Sequence, residues 1–353
     1  MKADVGVKRG ILHRTMLAAC ALVAGATGFD ASRAVAADEV NVYSTRQEYL
    51  ISPFLDRFSE ETGIKVNVVF IKEGLIERLK AEGKNTPADV VLTVGVENLA
   101  ALKSGDLLQP IRSDVVDANI PASFRDPGGE WTGLTTRARV IYFAKDRVDP
   151  SELSTYEDLA DPKWKGRICV RTGNHGYNVA LVASLIAAHG EEKTEEIVRG
   201  IVANFARKPQ GNDRAQVKAV KEGECDIAIG NTYYMGKMAT NDEKPEEKEW
   251  AAATSIFFPN GDDRGTHVNI SGAGLTKHAP HPKEGIALIE FLTGDEAQEM
   301  YARDNFEYPI KAGVALDSMV ASWGELTSDT VNIEKISALS PAAQKLIDRA
   351  GWQ

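Results

Sequence analysis

Three tyrosines lie in two short segments rich in glycine and asparagine, and their hydroxyls could meet at one site. Tyr233 and Tyr234 lie within residues 230–236 (GNTYYMG), and Tyr177 lies within residues 173–178 (GNHGYN). Each segment follows an apolar, strand-like run and precedes a helix-like run. Ligands of open α/β sheets bind beyond the carboxyl ends of the strands, so we expect the three phenols to converge there. The alternative is that each ring is half-buried with its hydroxyl in water.

Converged phenols would select a hard, highly charged cation. A free phenol has a pKa near 10, so ionising one at neutral pH costs about 4 kcal/mol and ionising three costs about 12 kcal/mol. The mutual repulsion of the phenolates adds to that cost. A trivalent ion that prefers oxygen donors can offset it, and ferric ion is the natural candidate.

Other chemistries have weaker support in the sequence. His175 lies close to the first tyrosine, but a polar loop histidine is the simpler interpretation. His267, His278 and His281 lack the H-x-x-x-H and H-E-x-x-H spacings of metal sites. No G-x-S-x-G motif marks a nucleophilic serine. We therefore expect a protein that is not an enzyme.

The first 36 residues have the pattern of a secretory signal peptide. A basic start is followed by an apolar run at residues 16–29 and by a small-residue cleavage site at residues 34–36. A lipoprotein anchor at Cys20 is disfavoured because the apolar run continues beyond it. No later stretch approaches the ~18 apolar residues of a membrane span. We therefore expect a periplasmic protein without stable membrane insertion.

Charge and composition argue against some partners. The chain has 353 residues, of which 43% are hydrophobic and 26% charged, an ordinary composition for a soluble protein long enough for two domains. Its net charge of −10 becomes −13 without residues 1–36, which carry five Lys/Arg and two Asp. An acidic surface with no basic run argues against binding to nucleic acid or to an anionic membrane.

Two cysteines remain after the leader. Cys169 and Cys225 each lie in a strand-like run that leads to one of the tyrosine segments. An even pair in an oxidising compartment permits a disulfide, and two buried free thiols are the alternative. Neither cysteine belongs to a C-x-x-C pair, so a thiolate metal site is not expected.

Strand-like and helix-like runs alternate along the chain, which indicates βαβ units and a mainly parallel sheet. The predicted strands are 41–43, 64–70, 88–94, 135–143, 167–171, 225–229 and 254–259. The predicted helices are 53–62, one around 75–79, 97–103, three that begin near 179, 191 and 213, and then 282–293, 295–303 and 340–350. The strands 135–143 and 254–259 are expected to cross between two lobes.

Three further segments carry local signals. Residues 154–157 (STYE) have the pattern of a capping box at the start of a short helix. The charge run at residues 242–249 predicts a solvated loop. The glycine-rich residues 268–275 lack the G-x-G-x-x-G spacing of a dinucleotide site, so they predict close packing of backbones.

Five segments together resemble the ferric-iron-binding periplasmic proteins of ABC importers, within the type II solute-binding superfamily. They are residues 42–46 (VYSTR), 134–140 (LTTRARV), 159–167 (LADPKWKGR), 202–207 (VANFAR) and 231–234 (NTYY). The similarity extends over nearly all of the chain after the leader. It implies an α/β fold of two lobes, each a mainly parallel sheet flanked by helices, joined by a two-strand hinge with the ligand held between them.

The resemblance also implies a division of the chain and a role. The lobes are expected at residues 37–136 plus 263–308 and at residues 137–262 plus 309–353. Such a protein captures ferric ion in the periplasm and delivers it to an inner-membrane ABC permease, and we expect it to be a monomer. The alternative is the same fold with a small organic or oxyanion solute, held by Arg137 and aromatic walls.

Transferred position by position, the resemblance identifies Tyr177, Tyr233 and Tyr234 as iron-binding phenolates and Arg137 as an arginine beside the metal. Three phenolates neutralise a trivalent ion, so this arginine would leave one excess positive charge. Glu48, or a synergistic anion such as carbonate, could balance it. The arginine could instead pair with a structural acid.

The ligand from the first lobe is left open by the sequence. Residues 47–49 (QEY) stand where one branch of the family has a His-Tyr pair. Tyr49 is the first candidate and Glu48 the second, and water or an external anion is a further alternative.

Overall fold

The structure, a computed structural model, describes residues 38–331 and 333–353. The predicted signal peptide lies outside the described residues and stays a prediction. The strands are β1 (Glu39–Ser44), β2 (Lys65–Phe70), β3 (Val90–Val94), β4 (Leu108–Gln109), β5 (Trp131–Ala144), β6 (Ile168–Cys169), β7 (Ile227–Asn231), β8 (Thr254–Phe257), β9 (Val268–Thr276) and β10 (Tyr308–Pro309).

Helices alternate with these strands, as predicted. They are α1 (Glu48–Thr62), α2 (Leu75–Glu82), α3 (Val96–Ser104), α4 (Asp114–Asn119), α5 (Gly176–His189), α6 (Glu191–Ala203), α7 (Asp213–Glu222), α8 (Tyr233–Ala239), α9 (Pro245–Ala253), α10 (Pro282–Thr293), α11 (Asp295–Asn305), α12 (Ser318–Ser322) and α13 (Ile333–Ala350). Across residues 38–331 and 333–353, no helix combines the length and apolar character needed to cross a membrane.

The main path of the sheet has the strand order β2-β1-β3-β9-β5-β7-β6. The pairs at its two ends are parallel, with β1 beside β2 and β3, and β6 beside β7. At the centre, β9 and β5 run antiparallel to their neighbours. The parallel ends match the prediction from alternating strands and helices, and the antiparallel centre is formed by the strands at the crossings.

The long strand β5 connects the two halves of the sheet. Its residues 131–138 pair with β9, and its residues 139–143 pair with β7. The chain returns between β8 and β9, where the carbonyl of His267 accepts the backbone N–H of Arg139 at 2.9 Å. The predicted strand 135–143 does pair with both halves. The predicted return crossing at residues 254–259 is wrong, because β8 pairs with residues 141–144 of β5 in the second half and the chain returns only after β8.

Alternation along the strands gives each half of the sheet two apolar cores, one on each face. The neighbours Val90 and Val91 belong to different clusters in the first half, and Ile141 and Tyr142 do so in the second. In the second half, one cluster contains side chains of α5, α6 and α13, and the other contains side chains of α7, α8 and α9. The helices α5 and α8, which begin at the tyrosine segments, are therefore anchored in different cores.

Glycines in β9 permit close packing of backbones, as the sequence predicted. A Cβ atom on Gly272 would lie 2.6 Å from the carbonyl oxygen of Thr132 and 2.6 Å from a methyl carbon of Leu99. A Cβ atom on Gly274 would lie 2.9 Å from Leu108. Any larger residue at these positions would push β9 away from its neighbours.

A disulfide joins Cys169 and Cys225, whose Cα atoms are 5.8 Å apart. Cys169 ends β6, and Cys225 lies two residues before β7 begins. Both residues are buried. Of the two alternatives left by the sequence, the bridge is the one that the structure contains.

The first helix begins earlier than predicted. It starts at Glu48, so Tyr49 lies in the first helical turn and not in a loop. The prediction placed the start at Pro53 because Phe54, Leu55 and Phe58 fall on one helical face after it. In the structure Pro53 lies inside the helix, where its missing N–H costs one backbone hydrogen bond.

Two other local predictions are wrong. The predicted solvated loop at residues 242–249 is largely helical, because α9 begins at Pro245 with acidic residues in its first turn, an arrangement that favours a helix start. Residues 154–157 do not open an α-helix. A 3-10 turn at Glu157–Ala160 forms there instead, and Thr155 Oγ1 accepts the backbone N–H of Asp158 at 3.1 Å.

Candidate metal centre

Tyr177 is fixed by the start of α5, of which it is the second residue. The N-cap residue His175 accepts the backbone N–H of Tyr177 on its Nδ1 at 3.3 Å. The two rings meet edge to face with their centroids 4.4 Å apart. Burial, together with repulsion by Arg171, lowers the pKa of His175 to about 4, so the ring is neutral near pH 7. The polar-loop interpretation of this histidine is thereby refined to a helix cap.

Tyr233 and Tyr234 are fixed by the turn from β7 into α8, of which they are the first two residues. Their ring centroids are 4.2 Å apart. The hydroxyl of Tyr233 lies 3.2 Å from the hydroxyl of Tyr177. The structure thus brings together the three phenols that the sequence singled out, although the segments that carry them are 56 residues apart.

Burial keeps two of these phenols protonated. It raises the pKa of Tyr233 and of Tyr234, and the electrostatic influence of Tyr177 raises both further. Two like charges on adjacent oxygens are mutually destabilising in a buried site. A cation that binds here must therefore displace phenolic protons, and its own charge must supply the energy.

Tyr49 faces the same region from the first half of the sheet. It is 49% exposed and lines a groove of ≈840 Å³ together with Tyr234. Burial of its hydroxyl raises its pKa, which the positive charge of Arg214 partly offsets and the Tyr177 phenol raises further. Glu48 is exposed at the first residue of α1 and makes no hydrogen bond or ion pair with the three phenols.

Arg137 lies near Tyr177 and makes no hydrogen bond with the hydroxyls of the three phenols. It is 2% exposed, and its Nη1 donates to Ser271 Oγ at 2.9 Å. Its Nε and Nη2 are buried without a partner, and no described carboxylate forms an ion pair with it. With Tyr177 it lines a small cavity, whose other walls are Arg139, Asn231, His267 and Asn269.

Sequence reasoning missed a buried ionic cluster beside Tyr177. Arg139 and Arg171 both pair with Asp213, which is fully buried. Burial alone would raise the pKa of Asp213, but the attraction of the two guanidinium groups outweighs it and lowers that pKa. One feature of the sequence could have pointed to Arg139. Residues 137 and 139 lie two apart in one predicted strand, so their side chains point to the same face of the sheet.

Further cations surround the phenols. The guanidinium carbon of Arg214 lies 5.8 Å from the centroid of the Tyr234 ring, and Lys237 Nζ lies 5.5 Å from that of the Tyr49 ring. Arg46 is buried and pairs with Glu307 at 2.9 Å. These nearby positive charges favour the ionised form of the tyrosine oxygens.

Conventional metal ligands do not cluster elsewhere in the structure. Within residues 38–331 and 333–353, no group of three or more His, Cys, Asp or Glu side chains is arranged to hold a metal ion. His267 is buried, which lowers its pKa to about 3. The phenols are accordingly the oxygen cluster whose chemistry suits a hard cation.

Sequence comparison places the chain among known proteins. The family model described as bacterial extracellular solute-binding protein matches residues 43–299. The chain belongs to this family. Among its relatives, the iron uptake protein A1 of Synechocystis sp. is 47% identical over 89% of this chain and 88% of its own length.

The fold of this extracellular solute-binding protein is shared by solved structures. The apo ferric ion-binding protein A of Pasteurella haemolytica is 49% identical, with a TM-score of 0.84 over 90% of this chain and 98% of that chain. A Trichodesmium protein in complex with iron and citrate ligands is 44% identical, with a TM-score of 0.85 over 89% of this chain and all of its own. The α/β fold is therefore that of the type II periplasmic binding proteins, as the sequence resemblance implied.

Proposed function

We propose that this solute-binding protein is the substrate-binding component of an iron(III) uptake system. The observation that carries the proposal is the convergence of three phenols, with the Tyr177 and Tyr233 hydroxyls 3.2 Å apart. Relatives named for iron uptake and ferric iron binding at 47% and 26% identity support it. The cargo is ferric ion, and the protein acts by binding it without catalysing a reaction.

Tyr177, Tyr233 and Tyr234 supply three phenolate oxygens to the ion. Each phenol loses its proton on binding, because a protonated hydroxyl cannot neutralise the metal charge. Tyr49 supplies the ligand from the first half of the sheet, since it lines the same groove as Tyr234. Glu48 is the second candidate for that position, because it lies one residue away at the start of the same helix.

Arg137 is where a small anion would bind, because its Nε and Nη2 have no partner and no described carboxylate pairs with it. Three phenolates neutralise ferric ion, and a fourth from Tyr49 balances the charge of Arg137. With an uncharged ligand in place of Tyr49, carbonate or another small anion at the metal balances that charge instead, and a Trichodesmium relative was solved in complex with iron and citrate. The nearby Glu97 is a weaker counter-charge, because burial raises its pKa despite the attraction of Arg137.

Transport follows from lobe closure around the ion. The lobes are residues 37–136 plus 263–308 and residues 137–262 plus 309–353, consistent with the change of pairing partner along β5. Closure removes water from the metal, and the closed form is delivered as a monomer to an inner-membrane ABC permease. The protein works in the periplasm, and its predicted leader and its disulfide fit that compartment.

Colour tests the proposal directly. The iron-loaded protein is expected to have a visible absorption band from phenolate-to-iron charge transfer. Tyr233→Phe and Tyr177→Phe each remove one phenolate and reduce the band. A protein that stays colourless and fails to retain ferric ion would rule the proposal out.

A second candidate function is binding of a small organic or oxyanion solute without metal. The groove of ≈840 Å³ beside Tyr49 and Tyr234 favours it, since this space exceeds that of a bare ion. Calorimetry with metal-free protein separates the two. Solute binding that survives Tyr177→Phe and Tyr233→Phe would support this second function.

A further inference from the structure

The guanidinium of Arg139 connects the two segments that carry the phenols. Its Nη2 donates to Asn178 Oδ1 at 2.8 Å, and its Nη1 donates to Asn231 Oδ1 at 3.0 Å. Asn178 follows Tyr177 directly, and Asn231 lies two residues before Tyr233. One rigid, planar group therefore spans the start of α5 and the end of β7.

All three residues of this connection are buried. Arg139 is 2% exposed, Asn178 is 0% exposed and Asn231 is 3% exposed. Asn178 also donates to the carbonyl of Thr172 at 3.0 Å, so the α5 end of the bridge is tied to its own loop. The hydroxyl of Tyr142 donates to the backbone carbonyl of Asn231, so the β7 end is tied to β5.

Asp213 orients the guanidinium. It pairs with Arg139 and also accepts from Arg171 Nη1 at 2.6 Å. The guanidinium carbons of Arg139 and Arg171 lie 5.7 and 5.5 Å from the centroid of the Tyr177 ring. Such contacts between cations and an aromatic ring are attractive, so the cluster also restrains the ring itself.

A buried ionic cluster is weak as a source of stability. The cost of removing its charges from water commonly matches or exceeds their mutual attraction, and apolar residues of the same volume often do as well. Its two amide contacts, however, fix distances that an apolar group could not fix. The geometry of the cluster therefore points to positioning.

We propose that Arg139 is a positioning residue that sets the separation of the Tyr177 and Tyr233 hydroxyls, so that both can bind one ferric ion. The inference rests on the proposed function. Arg139 does not touch the metal. It acts through Asn178 and Asn231, and Asp213 holds it in the orientation that both contacts require.

Arg139→Lys is the principal test, because it keeps the charge and removes the fork. A single ammonium group cannot donate to both amides in the same fixed geometry. Loss of a group that orients a metal ligand typically lowers metal affinity about 10- to 100-fold. We expect a loss of ferric affinity in that range, measured against a competing chelator, together with a shifted charge-transfer band.

Arg264→Lys is the matched control. Arg264 also bridges two partners, Glu157 at 3.0 Å and Asp329 at 2.9 Å, and like Arg139 it has a buried Nε without a partner. A purely structural role for Arg139 would make the two variants alike, with lowered melting temperatures and unchanged bands. That outcome would overturn the proposal.

Asn231→Ala keeps the test decisive if Arg139→Lys does not fold. It removes one of the two contacts and leaves the backbone carbonyl that Tyr142 uses. A shifted band with weakened affinity supports the positioning role, and a wild-type band with wild-type affinity refutes it.

A metal-free measurement separates this proposal from the proposed function. The distance between the Tyr177 and Tyr233 hydroxyls, 3.2 Å here, is measured in crystals of metal-free Arg139→Lys or, if that variant does not fold, of metal-free Asn231→Ala. A wider separation supports the positioning role, and an unchanged one overturns it. Failure of the wild-type protein to bind iron would overturn the proposed function alone.

Discussion

Protonation governs the candidate site at the scale of single residues. Tyr233 and Tyr234 have raised pKa values because they are buried, and Tyr177 adds to both shifts. Tyr233 and Tyr234 are therefore neutral at pH 7 in the metal-free protein. Metal binding must then be coupled to proton release, and lower pH must weaken it.

Proton counting tests this coupling. Loading the wild-type protein from a ferric chelate in weakly buffered solution is expected to release about four phenolic protons per ion, one each from Tyr49, Tyr177, Tyr233 and Tyr234. Tyr177→Phe should release about one fewer under the same conditions, because one phenol is absent. A pH-stat titration measures the difference in proton release between the two proteins. The protons contributed by the chelate are the same in both and cancel in that difference. Equal proton release from the two proteins would contradict the assignment of Tyr177 as a ligand.

Glu157 makes the free energy of unfolding depend on pH in the acidic range. Burial alone would raise its pKa, but hydrogen bonds from Asn260 and His189 and the charge of Arg264 lower it to about 2. Because this folded-state pKa lies below the unfolded value of about 4.3, the stabilisation is complete above that value and is lost as pH falls toward 2.

Glu157→Gln removes this acid-dependent contribution. We expect the variant to be less stable than the wild-type protein at pH 7 and closer to it at pH 3. Urea unfolding at the two pH values measures both differences. A stability gap of the same size at both values would show that the charge of Glu157 is not its cause.

The long-range contacts of the site were beyond sequence reasoning. Arg139 meets Asp213 across 74 residues and Asn231 across 92, and no local pattern encodes such pairs. The tyrosines were found because their turns have a local signature, a strand-like run followed by glycine and asparagine. The types of residue in the sequence were therefore enough to identify the phenols. The residues that position the phenols could be identified only from the three-dimensional structure.

At the scale of elements, prediction succeeded where apolar periodicity was strong. The strands β1, β2 and β3 and the helices α10 and α11 lie close to their predicted bounds. It failed at two helix starts, in the first turn of α1 before Pro53 and at the acidic start of α9. In α1, burial of Leu50 and Ile51 extends the helix to the residues before the proline. In α9, the proline and the acidic residues of the first turn favour a helix start over the predicted loop.

The disulfide ties the two strands that lead to the tyrosine segments. Cys169 and Cys225 are separated by 56 residues, and a loop of that length stabilises the folded chain by about 4 kcal/mol in the chain-entropy model. Reduction, or a Cys169→Ala/Cys225→Ala double variant, is expected to lower the free energy of unfolding by about 2–4 kcal/mol. Denaturant unfolding of oxidised and reduced protein measures the loss. Equal stabilities would contradict it.

Close packing of β9 gives a second test of the elements. Gly272→Ala places a Cβ atom 2.6 Å from the Thr132 carbonyl oxygen, so we expect destabilisation of about 1–3 kcal/mol. Gly261→Ala is the control, because the nearest atom to its added Cβ would be 3.7 Å away. Thermal unfolding of both variants measures the effect, and equal melting temperatures would argue against steric exclusion at β9.

At the scale of the whole molecule, the candidate ligands come from both halves of the sheet. Tyr49 belongs to α1, which packs in the first half, whereas Tyr177, Tyr233 and Tyr234 belong to the second. An ion held by both groups would link the halves. The resemblance in sequence was sufficient to predict this architecture, but it left the identity of the first-half ligand open.

Tyr49→Phe tests the link between the halves. The variant is expected to bind ferric ion about tenfold more weakly while keeping most of the visible band, because the other three phenols remain. Small-angle X-ray scattering should show a smaller compaction on iron loading than in the wild-type protein. Glu48→Gln is the control and should behave as wild type. The reverse pattern would identify the carboxylate of Glu48 as the ligand.

The strand β5 is where the two halves of the sheet meet. Two neighbouring arginines on one of its faces hold different halves, since Arg137 donates to Ser271 of β9 and Arg139 donates to Asn231 of β7. Ala138, between them, is held on both sides, by pairing with Val268 and by accepting the N–H of Thr232. We therefore expect any movement of one half against the other to act on the backbone torsions around this alanine and on the return crossing beside it, residues 258–267.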